Sequence, residues 1–115
     1  MEKSLKGEKI TDEKVTKYDI RNIEIMDQFY LKTFGVDVSR YQGEIDWTKM
    51  HTIYSIYPIK FAFIRSTMGT SSLDDTFDEN WEGAKENNIL RGAYHFYRPD
   101  ENSTLQAQNF ISKVK

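Results

Sequence analysis

Three groups of polar and aromatic side chains, each at the end of a short apolar run, carry most of the chemistry that this sequence offers. Asp37 lies near the end of FGVDV, Arg65 and Ser66 end IKFAFIRS, and residues 95–97 end LRGAYHFY. In parallel α/β sheets, ligands bind at the carboxyl ends of the strands. We therefore expect these groups to share one rim, where a carboxylate, an imidazole and aromatic rings face a common ligand.

Each of these residues also has an ordinary structural interpretation. Asp37 could bond a backbone amide at a strand end, and His95 could be a core histidine. With His51 as the second histidine of the chain, His95 makes a poor metal site, because a catalytic zinc usually needs three protein ligands. A triad of Ser39, His95 and Asp37 lacks the nucleophile-elbow sequence. We expect no metal ion and no cofactor.

The elements that must position these groups are predicted from periodicity and from turn residues. Phe34, Val36 and Val38 alternate with Gly35 and Asp37, which predicts a strand. The order β-α-β-α-β-α follows for residues 34–115. The predicted elements are strands over 34–38, 59–65 and 89–97, a short helix capped by Asp46 and stopped by Pro58, and helices with capping boxes of Thr76 with Glu79 and Ser103 with Gln106.

This order predicts an α/β fold in which the three strands are parallel. Three parallel strands leave two open edges, whereas a closed eight-stranded β/α barrel needs about 250 residues. We therefore predict a partial β/α barrel that consists of its first three βα units. We also expect the open edges to favour self-association, or pairing with another chain.

Composition excludes several classes of function. The 115 residues carry a formal charge of −2 with a pI of about 5.7, so no positive field attracts nucleic acid. The chain has no cysteine, which excludes disulfides and thiolate metal sites. It has no apolar run of the roughly 20 residues that span a bilayer, so we expect no membrane insertion. The first residues, MEKSLKGEKITDEK, lack the apolar core of a signal peptide.

Residues 1–33 are predicted to form a charged amino-terminal arm, separate from a domain over 34–115. The arm mixes seven basic and seven acidic residues, and its apolar residues show no sustained period. We expect the first nine residues to be disordered. Residues 19–31 are predicted to form a strand or an irregular arm that packs on the domain.

The motifs GVDVSRYQG (35–43), IDW (45–47), FAFIRSTMGT (61–70) and RGAYHFYRP (91–99) closely resemble the amino-terminal half of glycoside hydrolase family 25 lysozymes. The resemblance covers residues 34–115 and keeps the order and spacing of the motifs. It implies an irregular β/α barrel with muramidase activity. Such enzymes cleave the β-1,4 bond between N-acetylmuramic acid and N-acetylglucosamine in peptidoglycan.

The resemblance also implies roles for individual residues. Asp37 matches the family's acidic residue at the end of the first strand, which stabilises the transition state of the sugar. Aromatic residues of the third motif match part of the wall of the sugar site, although each tyrosine here could equally be packing. The rest of the first motif, which positions Asp37 rather than reacting, is matched by Ser39, Tyr41 and Gln42. The implied substrate-binding residues are Tyr41, Gln42, Asp74, Tyr94, His95 and Tyr97.

Two departures from the family pattern matter for activity. Many relatives have Glu where this chain has Met68. The family's general acid belongs to an Asp-x-Glu motif on the fourth strand, which this sequence does not contain, and Asp100 with Glu101 cannot replace it because the two are adjacent and follow Pro99. Glycoside hydrolysis needs a protonated carboxyl as well as a second negative group. We therefore expect these 115 residues alone to bind weakly and to hydrolyse nothing.

Two functions remain open at this point. The first is a cell-wall muramidase that acts on peptidoglycan glycan strands, for which the family implies an extracellular or cell-wall location. The second is a non-catalytic module that binds peptidoglycan or another sugar.

Overall fold

The computed structural model describes residues 16–115, in which three α-helices surround a five-stranded mixed sheet. The helices are α1 (Lys17–Asp27), α2 (Phe77–Glu86) and α3 (Ser103–Val114), the strands are β1 (Phe34–Val38), β2 (Thr52–Ile53), β3 (Tyr57–Met68), β4 (Ser72–Leu73) and β5 (Leu90–Phe96), and two 3₁₀ turns cover Arg40–Gln42 and Trp47–Lys49.

The long strand β3 is the centre of the sheet. β1 and β5 pair with it in parallel, on opposite sides, while the short strands β2 and β4 pair antiparallel with its two ends. The predicted α/β fold with three parallel strands is therefore confirmed. The spatial order β1-β3-β5 is compatible with the first three strands of a β/α barrel.

The two faces of this sheet differ in burial. In a parallel pair, partner residues point to the same face, and the partners Val38 and Ile64 are both buried. They share one core with Phe77 and Ala84 of α2, and α3 also packs against β3. The two later helices therefore cover this face. The opposite face, which we call the open face, is left largely uncovered by residues 16–115. Phe63 on it is 51% exposed.

A bulge in β3 sets which side chains reach the open face near the end of the strand. Arg65 pairs with Tyr94, and the next β5 residue pairs with Thr67, so Ser66 is the extra residue. Ser66 and Thr67 are both fully buried. Because one residue is added, Arg65 and Met68 point to the same face despite their odd spacing.

The crossover from β1 to β3 differs from the prediction, because it contains no α-helix. Asp46 does act as an N-cap, accepting a hydrogen bond from the Thr48 amide, but the helix ends after one 3₁₀ turn. Tyr54 and Ser55 have φ values of 55° and 58°, a left-handed conformation that a helix cannot continue. Pro58 does stand at the start of the next strand, as predicted, as the second residue of β3, where it pairs with β2.

Trp47 fixes this crossover against α2. Its indole is buried, and its Nε1 donates a hydrogen bond to Asn80 Oδ1 at 3.1 Å. The ring lies so close to Gly83 that a Cβ there would overlap it. This close approach lets a short crossover seal the edge of the core that a helix was expected to cover.

The segment predicted as a strand or irregular arm is the helix α1. A capping box between Thr16 and Asp19 begins it, and Ile23 and Met26 pack against the core. Two tyrosines of the β2–β3 region hold it. Tyr54 donates a hydrogen bond to Asp19 Oδ1 at 3.1 Å, and Tyr57 donates to Asp27. The prediction for the first nine residues lies outside the described residues.

The two later helices form where they were predicted, but with different caps. The Thr76 hydroxyl does not cap α2 and instead donates to Asp74 Oδ1 at 2.6 Å. Asn102 caps α3 by accepting a hydrogen bond from the Leu105 amide. The predicted partner Gln106 is buried and bonds elsewhere. Within residues 16–115, no helix has the length and apolarity needed to cross a bilayer.

Candidate active site

Asp37 lies on the open face, one residue before the end of β1. It is exposed, and its register partner on β3 is Phe63. Val36 and Val38 on either side of it are buried in the helix-covered core, so the alternation of the strand turns the carboxylate outward. This is the rim that the sequence predicts for a ligand.

Tyr94 lies on the same face as Asp37, near the end of β5, and its hydroxyl is the meeting point of several site groups. Burial raises the pKa of the Tyr94 phenol, and the negative charges of Asp37 and Asp74 raise it further, whereas Arg65 and a hydrogen bond to Ser39 lower it. Because Asp37 pairs with Phe63 and Tyr94 pairs with Arg65, both side chains lie on the open face.

Asp74 lies deeper than the other predicted site residues, and its side chain has no solvent exposure. One oxygen accepts from the Arg40 amide and from Arg65 Nε, both at 2.9 Å, while the other accepts from the amide and hydroxyl of Thr76. Burial alone would raise the pKa of this carboxyl, but the hydrogen bonds outweigh it and the pKa is lowered. Asp74 thus ties β3 to the turn after β1 and to the start of α2.

The turn after β1 carries three more residues of the first motif. The Gln42 Oε1 accepts a hydrogen bond from the Ser39 amide at 2.7 Å, and the Ser39 hydroxyl accepts one from the Tyr41 amide. Gln42 is therefore partly used in fixing the turn. The Tyr41 residue is 91% exposed to solvent. An exposed phenol ring at the rim offers a surface on which a sugar can stack.

His95 lies on the opposite face from Tyr94, between the sheet and α3. Gln106 Nε2 donates to the carbonyl oxygens of Arg98 and Glu101, which leaves its Oε1 to accept from the Arg98 amide and from His95 Nε2. His95 Nδ1 then accepts from the Thr67 hydroxyl at 2.7 Å. Both ring nitrogens are thus used inside the protein, and the imidazole faces away from the open face.

The other predicted residue, Tyr97, follows β5 and is 53% exposed. Arg65 and Phe96, which were expected at this rim, do lie on the open face, and Met68 lies there beside them. The Arg65 guanidinium lies 5.9 Å from the centre of the Phe96 ring, and its Nη1 lies 3.8 Å from Met68 Sδ. An arginine at the end of an otherwise apolar strand run was the available signal for this group.

The arrangement combines one exposed carboxylate with aromatic rings and a guanidinium. Among the strand residues of the open face, Asp37 supplies the carboxylate, and Tyr94 and Phe96 supply rings that can contact a sugar. The Asp37 carboxylate in this set can stabilise positive charge that develops on a bound sugar ring. Within residues 16–115, no three metal-binding side chains lie close enough to hold a metal ion.

Comparison with known proteins identifies the family. Residues 36–115 match the model of the glycosyl hydrolases family 25. Lysozyme M1 of Streptomyces globisporus is 43% identical over 79 residues, which are 68% of this chain and 26% of that protein.

Solved structures agree with this match. A family 25 glycosyl hydrolase from Bacillus anthracis superposes with a TM-score of 0.64 at 39% identity, over 73% of this chain and 37% of that one. The bacterial lysozyme from Streptomyces coelicolor gives a TM-score of 0.56 at 44% identity, over 70% and 37% respectively. The chain spans well under half the length of each of these relatives. On the motifs, the fold and these matches, the chain belongs to the glycosyl hydrolases family 25.

Proposed function

We propose that residues 34–115 form the amino-terminal part of a muramidase catalytic domain, which hydrolyses the β-1,4 bond between N-acetylmuramic acid and N-acetylglucosamine in peptidoglycan. The observation that carries this proposal is the exposed Asp37 on the open face, with Tyr94 on the same face. Its relatives include a protein named Lysozyme M1 and a solved bacterial lysozyme. We propose that α1 lies outside the family 25 domain and precedes it in the chain.

In this proposal, Asp37 stabilises the positive charge of the oxocarbenium-like transition state. Hydrolysis also requires a protonated carboxyl that donates to the leaving oxygen. Asp37 is the one carboxylate among the strand residues of the open face, so the proton donor comes from outside β1, β3 and β5. Asp74 is a positioning residue, because its buried carboxylate holds Arg65 and the turn after β1.

The remaining candidate residues divide by exposure. Tyr41 and Tyr97 offer exposed rings for stacking on sugar units, whereas Gln42 and His95 support the rim from inside the protein. Peptidoglycan is the proposed partner, which fits an extracellular or cell-wall location.

A second candidate function is a module that binds peptidoglycan without cleaving it. The single carboxylate on the open face favours it, because binding needs rings and hydrogen bonds but no acid–base pair. We also propose that the chain self-associates through its sheet, since Phe63 and Leu90 on the open face are 51% and 74% exposed.

The catalytic proposal can be tested in a hybrid enzyme. Residues 34–115 would replace the matching segment of the Bacillus anthracis family 25 hydrolase, and turnover would be measured as reducing ends released from peptidoglycan. Asp37→Asn should lower turnover about 100-fold, the typical cost of removing one preorganised electrostatic group, with little change in Tm.

The matched control is Asp75→Asn, which neutralises an exposed carboxylate in the loop before α2. Equal activity of the two variants would remove Asp37 from the mechanism. Two results together would favour the binding module. The hybrid would be inert before any substitution, and the 115-residue chain would sediment with insoluble peptidoglycan.

A further inference from the structure

Two arginines converge on one uncharged side chain at the carboxyl end of β3. Arg65 Nη1 lies 3.8 Å from Met68 Sδ, and Arg98 Nη2 lies 3.3 Å from the same sulfur. A thioether is a weak acceptor, whereas guanidinium groups bond most strongly to carboxylates and phosphates. The Met68 sulfur is therefore a poorer acceptor for these N–H groups than a carboxylate or a phosphate would be.

Both guanidinium groups are held in place from the side away from Met68. Arg65 Nε donates to Asp74, and the side chain of Arg65 is only 12% exposed. Arg98 Nη1 donates to Glu101 Oε2 at 3.3 Å, and the other oxygen of that carboxylate accepts from the Thr70 amide. The carboxylates thus serve as anchors that aim the remaining N–H groups at the rim.

The backbone is shaped to bring these groups together. The bulge at Ser66 turns Arg65 and Met68 to the same face. After Met68, Gly69 has a φ of +61°, and a Cβ on it would lie 2.6 Å from Glu101 Oε1. A larger residue at this position would therefore displace the anchor of Arg98.

We propose that Arg65 and Arg98 form a subsite for a carboxylate of the bound glycan. Two sources carry this chemistry in peptidoglycan: the lactyl group of N-acetylmuramic acid and the stem peptide attached to it. In either case the carboxylate lies beside Met68 and accepts hydrogen bonds from both guanidinium groups. The subsite favours strands that carry a free carboxylate over neutral chitin-like strands.

This inference rests on the proposed function, since it names the part of the substrate that the same rim recognises. Met68 is five residues beyond Phe63, the register partner of Asp37, which corresponds to roughly 15 Å along the strand. Neighbouring sugar units and their substituents can span that distance from a sugar bound at Asp37. The carboxylate subsite is therefore separate from the reacting bond.

The test compares ligands that differ in one charge, using the chain itself. Binding of the β-1,4-linked tetrasaccharide of alternating N-acetylglucosamine and N-acetylmuramic acid, which is long enough to reach the arginines from Asp37, and of its methyl ester would be measured by calorimetry or NMR titration. We expect about tenfold tighter binding of the acid, the typical value of one charge-assisted contact. The same tetrasaccharide with a dipeptide amide-linked to its lactyl groups, so that its carboxylates are on the peptide, distinguishes the sources. Preference for it over the acid assigns the carboxylate to the stem peptide.

Two variants at one position control for general effects. Met68→Glu places an internal carboxylate between the arginines and should abolish the preference for the acid, whereas Met68→Gln adds a neutral group of similar size and should keep it. If Met68→Glu does not fold, Arg98→Gln gives the second test, because Arg98 is 43% exposed and its loss should also remove the preference.

The outcomes separate this inference from the proposed function. Equal binding of the acid and the ester by the unaltered chain overturns the carboxylate subsite but leaves sugar binding in place. A preference that survives in both Met68→Glu and Arg98→Gln also overturns it. Absence of binding to any of these ligands contradicts the sugar site itself, and the subsite with it.

Discussion

Asp37 and Asp74 show how position separates two residues of the same type. Asp37 lies within β1 and Asp74 directly after β4, but Asp37 is exposed while the Asp74 side chain has no exposure. An exposed carboxylate is available to a ligand. A carboxylate that four protein donors already occupy can only hold those donors in place.

The role of Asp74 leads to a prediction for stability. Asp74→Asn should lower the free energy of unfolding at pH 7 by about 3 kcal/mol, because it leaves the largely buried Arg65 without its charged partner. Exposed Asp75 provides the control, since Asp75→Asn should change stability little. Urea unfolding of the three proteins measures both effects.

The same variant should change the response to acid. The pKa of Asp74 is lower in the folded state than the usual value of about 3.9, so its ionisation stabilises the fold above that value and this stabilisation is lost as the pH falls further. Asp74→Asn should therefore lose less stability than the unaltered chain between pH 7 and pH 3. Equal losses would show that Asp74 is not a source of acid sensitivity.

At the scale of elements, alternation and helical spacing predicted all three parallel strands and both later helices. The bulge at Ser66 could not be predicted, because Ile64, Arg65 and Ser66 continue a pattern that a regular strand also fits. The bulge pairs His95 with Thr67 instead of Ser66, while the alternation of β5 turns His95, expected at the ligand rim, to the face behind the sheet. Register decides which face a side chain reaches, and register is a tertiary property.

Two elements were missed for a different reason. The helix α1 has a capping box at Thr16 and Asp19, but only Ile23 and Met26 of its residues pack on the core, so its apolar stripe is too narrow to stand out. A 3₁₀ turn at Trp47 stands where a helix was predicted: the chain leaves helical geometry at Met50, forms β2 and then turns at Tyr54 and Ser55 with positive φ. Neither conformation follows from residue type, since both residues favour φ below zero.

The open face of the sheet leaves large apolar side chains exposed to solvent. Phe61 and Phe63 stack edge to face at 5.6 Å, and Leu90 beside them is 74% exposed. Exposed apolar patches of this kind mark surfaces that contact another protein segment or a ligand. The covered face, by contrast, is closed by α2 and α3.

Self-association through this face can be measured directly. Sedimentation velocity at increasing concentration should show the chain associating, and Phe63→Ser should weaken that association about tenfold or more by removing a central ring. Leu31→Ser is the control, because Leu31 is 84% exposed but precedes β1 and lies outside the face. A chain that remains monomeric throughout, or equal effects of both substitutions, would contradict self-association through the sheet.

We expect a peptidoglycan sugar to bind at the carboxyl ends of β1, β3 and β5. Amide NMR shifts of the chain, titrated with the disaccharide of N-acetylglucosamine and N-acetylmuramic acid, test it most directly. We expect the largest changes at Asp37, Tyr94 and Phe96, and none at Asn22 or Tyr54, which bond each other where α1 packs on the β2–β3 region. Changes confined to that region, or no changes at millimolar disaccharide, would contradict the claim.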